Sequence, residues 1–201
     1  MINLVLSDFI DIVSKSGISK ANAILRIKNR PPYHPAFDFY KPLREHIIDT
    51  HRHNRGKKEL LRANDLTSDN KKWEIYDLIL SNYKRFWGRK TIKWFDPPKN
   101  IWSSNEISVA LNPELGLIIN DVPYVIKLYL KGEKLTNAKS IINLFLMHQV
   151  LPATHNRQSL TYSILDVRQS NLLKATIFPS NILSSLIAET AYINTIWNMP
   201  S

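Results

Sequence analysis

The chain has 201 residues, 44% of them hydrophobic and 10% aromatic, which suffices for one folded domain with a real core and excludes a disordered chain. It contains no Cys, so disulfide staples, thiolate zinc sites, iron–sulfur clusters and Cys nucleophiles are ruled out. A formal net charge of +10, with no apolar run near the roughly 20 residues of a membrane span, predicts a soluble cytoplasmic protein with an anionic partner.

Residues 8–13 form an amphipathic segment, with Ser7 placed as N-cap and Gly17 as the stop. Ser19 is placed to cap a second helix over 20–28, which Pro31-Pro32 ends. The pair reads as an αα-hairpin around Gly17, and it also resembles the helix-turn-helix of DNA-binding proteins. Pro42 suits the first turn of a third helix, whose stripe is Leu43, Ile47, Ile48 and His51. Ile75, Leu78, Ile79, Tyr83 and Phe86 recur at helical spacing and predict a long amphipathic helix ending at Gly88. Residues 91–95 read as a short strand closed by Pro97-Pro98.

The period then changes. Residues 107–131 alternate around a tight turn at Asn120-Asp121 and predict a β-hairpin. A buried helix is expected over 136–148, a strand or hairpin over 160–177, and a last helix from Pro179-Ser180. The expected fold class is α+β. It is a single domain over 1–201, with a basic helical part over 1–100 and an α/β core part over 101–201, an antiparallel hairpin or small sheet packed with helices.

The charge is uneven. Residues 1–100 hold 20 Lys+Arg against 11 Asp+Glu, whereas 101–201 hold 7 against 6. The densest basic stretch, 83–95, interleaves Lys84, Arg85, Arg89, Lys90 and Lys93 with five aromatic residues. Cations of this kind neutralise phosphates, and aromatic faces stack on unpaired bases. Tyr83 and Phe86 fit the buried helix face. That leaves Trp87, beside Gly88 at the helix end, as the stacking candidate, with Lys84, Arg85, Arg89, Lys90 and Lys93 as the phosphate-binding set.

The hairpin register follows from its turn. Ile119 faces Val122, Leu117 faces Tyr124 and Leu115 faces Ile126, all on one aliphatic side that must meet the core. The other side carries Asn112, Glu114, Lys127, Tyr129 and Lys131, with Glu114 opposite Lys127. In the later strand Asp166 and Arg168 share a face. The plain reading is a cross-strand ion pair on a solvated sheet. The arrangement also resembles the PD-(D/E)XK nucleases over residues 100–175, with Pro113-Glu114 at the family's Pro-Asp and Lys127 at its Lys. Val125 stands where the (D/E)-X-K acid would be. The resemblance implies a helix, hairpin, helix and further strand. It implies Glu114, Lys127 and Asp166 as catalytic residues, and Mg²⁺ held by Glu114 and Asp166 for phosphodiester hydrolysis.

Arg44 and His51 are separated by six intervening residues in REHIIDTH, a spacing that resembles the HEPN ribonucleases; the ordinary reading is a polar helix end. P-loop, GxGxxG, HExxH and GxSxG motifs are absent. The expectation is a nucleic-acid-binding protein with a nuclease-like core, active or degenerate. The alternative is a non-enzymatic interaction or assembly module whose basic face meets an acidic protein.

Overall fold

A computed structural model describes residues 1–62 and 66–199. The fold is α+β, organised around a five-stranded sheet. In that sheet β5 (Leu115–Ile119) and β6 (Val122–Tyr129) form the hairpin in the register read from the sequence, with Ile119 opposite Val122 and Leu115 opposite Ile126. Asn120 and Asp121 adopt φ of 47° and 65°, the two positive values a type I′ turn needs. The Asn120 side chain accepts the Thr91 N–H at 3.0 Å, which ties the turn to the neighbouring edge strand β2 (Ile92–Phe95). β2 pairs antiparallel with β5. On the other side of the hairpin, α6 (Asn137–Val150) and a small hairpin of β7 (Thr154–His155) and β8 (Gln158–Ser159) carry the chain over to β9 (Thr161–Asp166), which runs parallel to β6. β10 (Asn171–Leu173) pairs antiparallel with β9 at the far edge.

Both faces of this sheet are covered, so the expected solvated face does not exist. One face, carrying Leu115, Leu117, Ile126 and Leu128, packs on α3 (Lys41–Arg52), α4 (Lys57–Leu60) and α5 (Asn70–Trp87). The other, carrying Val125, Ile164 and Phe95, is covered by α6 and shares one hydrophobic core with α1 (Leu6–Val13), α2 (Gly17–Lys28) and α7 (Ile182–Asn198). The physical reason is the parallel β6–β9 pair. Its crossover must pass over one sheet face, and here the crossover is a helix.

Residues 107–131 do not form one continuous hairpin. β4 (Ile107–Leu111) belongs to a second sheet, paired antiparallel with β3 (Asn100–Ser104) and parallel with β1 (Ile2–Val5). Pro113 has no N–H to give a ladder and marks the passage from one sheet to the other. The basic first part and the nearly neutral second part therefore interleave: β1 pairs with β4, and β2 with β5.

The helix ends follow local chemistry. Thr136 caps α6 by accepting the Lys139 N–H, and Asp69 caps α5 by accepting the Lys71 and Lys72 N–H groups. Gly88 ends α5 at φ 51°, where a side chain would be strained. Ser7 lies inside the first turn of α1, and Ser16 rather than Ser19 occupies the cap position of α2. α2 is an αα-hairpin partner in the core: Ala23 and Ile24 are buried, and Lys20 pairs with Glu189 of α7 at 2.5 Å. Among the described residues no helix is long and apolar enough to cross a membrane.

Gly116 allows the close approach of β2 to β5. A Cβ added there would lie 2.3 Å from the Phe95 carbonyl oxygen and 2.9 Å from its ring. Gly116→Ala should therefore cost roughly 1–3 kcal/mol in urea unfolding. An unchanged midpoint would mean that β2 moves away at no cost.

Candidate functional site

Glu114 stands one residue before β5, and its N–H extends the hairpin ladder to the Ile126 carbonyl at 3.2 Å. Its carboxylate is held at both oxygens. Oε1 accepts from Lys127 Nζ at 2.5 Å, and Oε2 accepts from the Leu128 N–H at 2.8 Å. The Lys127 ammonium also reaches the Asn112 carbonyl at 3.4 Å. Only 10% of the Glu114 side chain and 20% of the Lys127 side chain remain exposed. The hairpin register brings the two together, and the covered sheet face takes them out of water.

The pair lies where two hollows meet, one of about 890 Å³ and one of about 270 Å³; Ser7, Asp38, Arg44, Glu114 and Lys127 line both. Arg44, near the start of α3, donates to Asp38 Oδ2 at 2.8 Å. Tyr33 donates its hydroxyl to the same oxygen at 3.3 Å, and the Tyr40 N–H donates to Oδ1 at 3.2 Å. Burial alone would raise the Asp38 carboxyl, but the Arg44 guanidinium and these hydrogen bonds outweigh it and hold the group below its ordinary value. Burial works against the charged Arg44, and the neighbouring Asp38 and Glu114 carboxylates more than offset it.

The smaller hollow continues past Tyr129, Lys131 and the Asp11–Lys139–Glu133 group, where Lys139 Nζ lies 3.0 Å from Glu133 and 3.8 Å from Asp11. Burial, then the nearby Glu133 carboxylate, pushes the Tyr129 hydroxyl well up. The larger hollow runs outward past Arg30, Arg52 and Lys99 to Tyr33 and Phe37.

Glu114 and Lys127 thus meet as the sequence implies, but Asp166 does not join them. In the parallel pairing Lys127 faces Ile164, and Asp166 faces Tyr129, two residues further along. Asp166 accepts the Gln169 N–H at 3.3 Å in the turn that follows and lines neither hollow. Arg168 donates to the Leu130 carbonyl at 3.1 Å. Among the described residues no three His, Asp or Glu side chains are grouped as a metal ion requires. Both Glu114 oxygens are already engaged, so a Mg²⁺ shared by Glu114 and Asp166 does not fit this arrangement.

The basic stretch divides into two kinds of residue. Lys90 donates to the Phe86 carbonyl and Lys57 to the Gly88 carbonyl, so both close the C-terminal end of α5. Lys84, Arg85, Arg89 and Lys93 are exposed, and among the described residues none has a carboxylate within ion-pairing distance. Arg85 donates to the Ser170 hydroxyl at 3.0 Å. Trp87 is half-buried, its ring centroid 4.5 Å from the His51 imidazole and 5.3 Å from the Lys57 ammonium, so it is not the open stacking platform expected. His51 itself is buried against the Tyr83 hydroxyl at 2.7 Å, so it neither faces the cleft with Arg44 nor belongs to a polar helix end.

The exposed aromatic residues lie elsewhere. Tyr33 is 66% and Phe37 is 87% exposed, both on the rim of the larger hollow. Their signal in the sequence is PPYHPAFDFY, a segment rich in aromatics and prolines without helical or strand periodicity. No known protein family matches the chain, and no curated protein or solved structure is detectably similar to it.

Proposed function

We propose that this protein binds nucleic acid through the phosphate backbone, using the exposed cations at the end of α5 and along β2, on a core that is nuclease-like in layout. The observation that carries this reading is the set Lys84, Arg85, Arg89 and Lys93, exposed and without carboxylate partners among the described residues. Most other Lys and Arg side chains near the cleft are matched: Arg30 with Asp8 at 2.9 Å, Arg44 with Asp38 at 2.8 Å, and Lys127 with Glu114 at 2.5 Å. Unmatched surface cations are the ones that release counterions on meeting a polyanion.

Within residues 100–175 the order β5–β6 hairpin, α6 and β9 follows the PD-(D/E)XK resemblance, and Glu114 and Lys127 occupy facing places in its hairpin; β2, β3 and β4 stand between α5 and that hairpin. That supports a related core. The carboxylate set does not support cleavage: Val125 is buried in the place of the missing acid, and Asp166 lies apart. We therefore assign binding rather than hydrolysis.

Labelled oligonucleotide should bind at low salt and dissociate steeply as salt rises. Replacing Arg89 and Lys93 together by Ala should flatten the slope of log K against log salt by about 1 for each phosphate left without its cation. Absence of binding at low salt would overturn the reading and favour an acidic protein as partner. Cleavage of the bound oligonucleotide with added Mg²⁺, abolished in Lys127→Ala, would restore the catalytic assignment.

A further inference from the structure

We infer that the larger hollow takes unpaired nucleotides, with Tyr33 and Phe37 stacking on the bases of a single strand whose backbone follows β2. This rests on the nucleic-acid reading above and adds to it the state of the strand.

The first ground is the rim. A phenyl ring 87% exposed, with a phenol ring 66% exposed four residues before it, is apolar surface that folding has left in water. Tyr33 is also held in place, since its hydroxyl donates to Asp38, which in turn grips Arg44 of the cleft floor. A ring fixed at one edge and open on its face is what base stacking uses.

The second ground is charge. The hollow is lined by Arg30, Arg44, Arg52, Lys99 and Lys127, and against them by Asp8, Asp38, Asp96 and Glu114. Five cations facing four carboxylates leave it close to balance. Such a hollow has little to offer a run of phosphates, but its ion pairs present donors and acceptors that the edges of bases can meet. The excess positive charge lies outside it.

The third ground is continuity. β2 leads from the basic end of α5 directly to Asp96 and Pro97, which line the hollow. Arg52, also a lining residue, lies 5.3 Å from the Trp94 ring on that strand and 3.9 Å from Asp96. A backbone bound at Arg89 and Lys93 is thus led to the mouth where the exposed rings stand. With a volume of about 890 Å³ the hollow is in the range that encloses small ligands, room for a nucleotide and not for a duplex.

The test is fluorescence anisotropy with labelled oligo(dT), labelled oligo(U) and a blunt duplex of equal length, at one salt concentration. Phe37→Ala should weaken single-strand binding about 5-fold or more, as should Tyr33→Ala. Tyr33→Phe, which keeps the ring, should bind a single strand more tightly than Tyr33→Ala. Duplex affinity should stay as in the parent protein. Phe37 is exposed enough that its removal should leave the fold intact, and an unchanged unfolding midpoint checks this. Equal affinity of parent and Phe37→Ala for single strands, or an equal weakening on single strand and duplex, would overturn the stacking inference alone. Failure of the parent protein to bind any of the three probes would overturn the nucleic-acid reading with it.

Discussion

Glu114→Ala is expected to lower the free energy of unfolding by about 3 kcal/mol, because it leaves Lys127, whose side chain is four-fifths buried, without its counter-charge. It also deprives the Leu128 N–H of its acceptor. Glu114→Gln should cost less: the amide oxygen can still accept from Leu128, while the charge is removed. Replacing the pair together, as in Glu114→Leu with Lys127→Met, should recover most of the stability, since both desolvation costs vanish at once. Urea unfolding of the parent, Glu114→Leu, Lys127→Met and the double variant gives the coupling between the two residues. Were Glu114→Ala to fall within about 0.5 kcal/mol of the parent, the pair would be as weak as an exposed surface ion pair. A large coupling would give Glu114 a structural role sufficient to explain its place in the hairpin without catalysis.

The second large effect is on pH. His51 is 5% exposed, and burial alone pushes its imidazole down to about 4 from the ordinary 6.5. The folded state therefore favours the neutral ring. Above pH 6.5 both states are neutral and the residue has no effect on the pH dependence. As pH falls from 6.5 to about 4, the unfolded chain takes up a proton that the folded chain refuses. Stability should decline by about 3 kcal/mol across that window and level off below it. His51→Leu alone would strand the hydroxyl of the fully buried Tyr83, so the control is His51→Leu with Tyr83→Phe. That double variant should lose less stability than the parent between pH 7.5 and 4.5. The same decline in both would mean that other groups carry the acid sensitivity.

The hairpin was legible because its turn was. Asn120-Asp121 accepts two positive φ values, and strict alternation on either side fixes which residues face each other. Glu114 opposite Lys127 followed from that register. What covers the second sheet face did not follow, since it depends on β9 running parallel to β6. The same pairing carries Asp166 past Lys127 to a place beside Tyr129. β1 was hidden for another reason: four residues are too short to show a period, and the apolar run continues into α1 without a break. The cleft was least legible of all. Asp38, Arg44, Tyr33 and Phe37 meet Glu114 and Lys127 only through tertiary packing, and none of them stands near the hairpin in sequence.

The parallel pair of β1 with β4 joins Ile2 to Ile107, positions 105 residues apart. At usual rates of synthesis β1 would leave the ribosome roughly 5–20 s before its partner strand. For that time Ile2, Leu4 and Leu6, all buried in the finished fold, have no sheet to join. β1 thus waits for a partner strand far along the chain, and loop closure over so long a stretch is slow compared with forming the β5–β6 hairpin. The nascent chain carries an apolar strand that stays unpaired until β4 emerges, and that interval exposes it to aggregation and to chaperones.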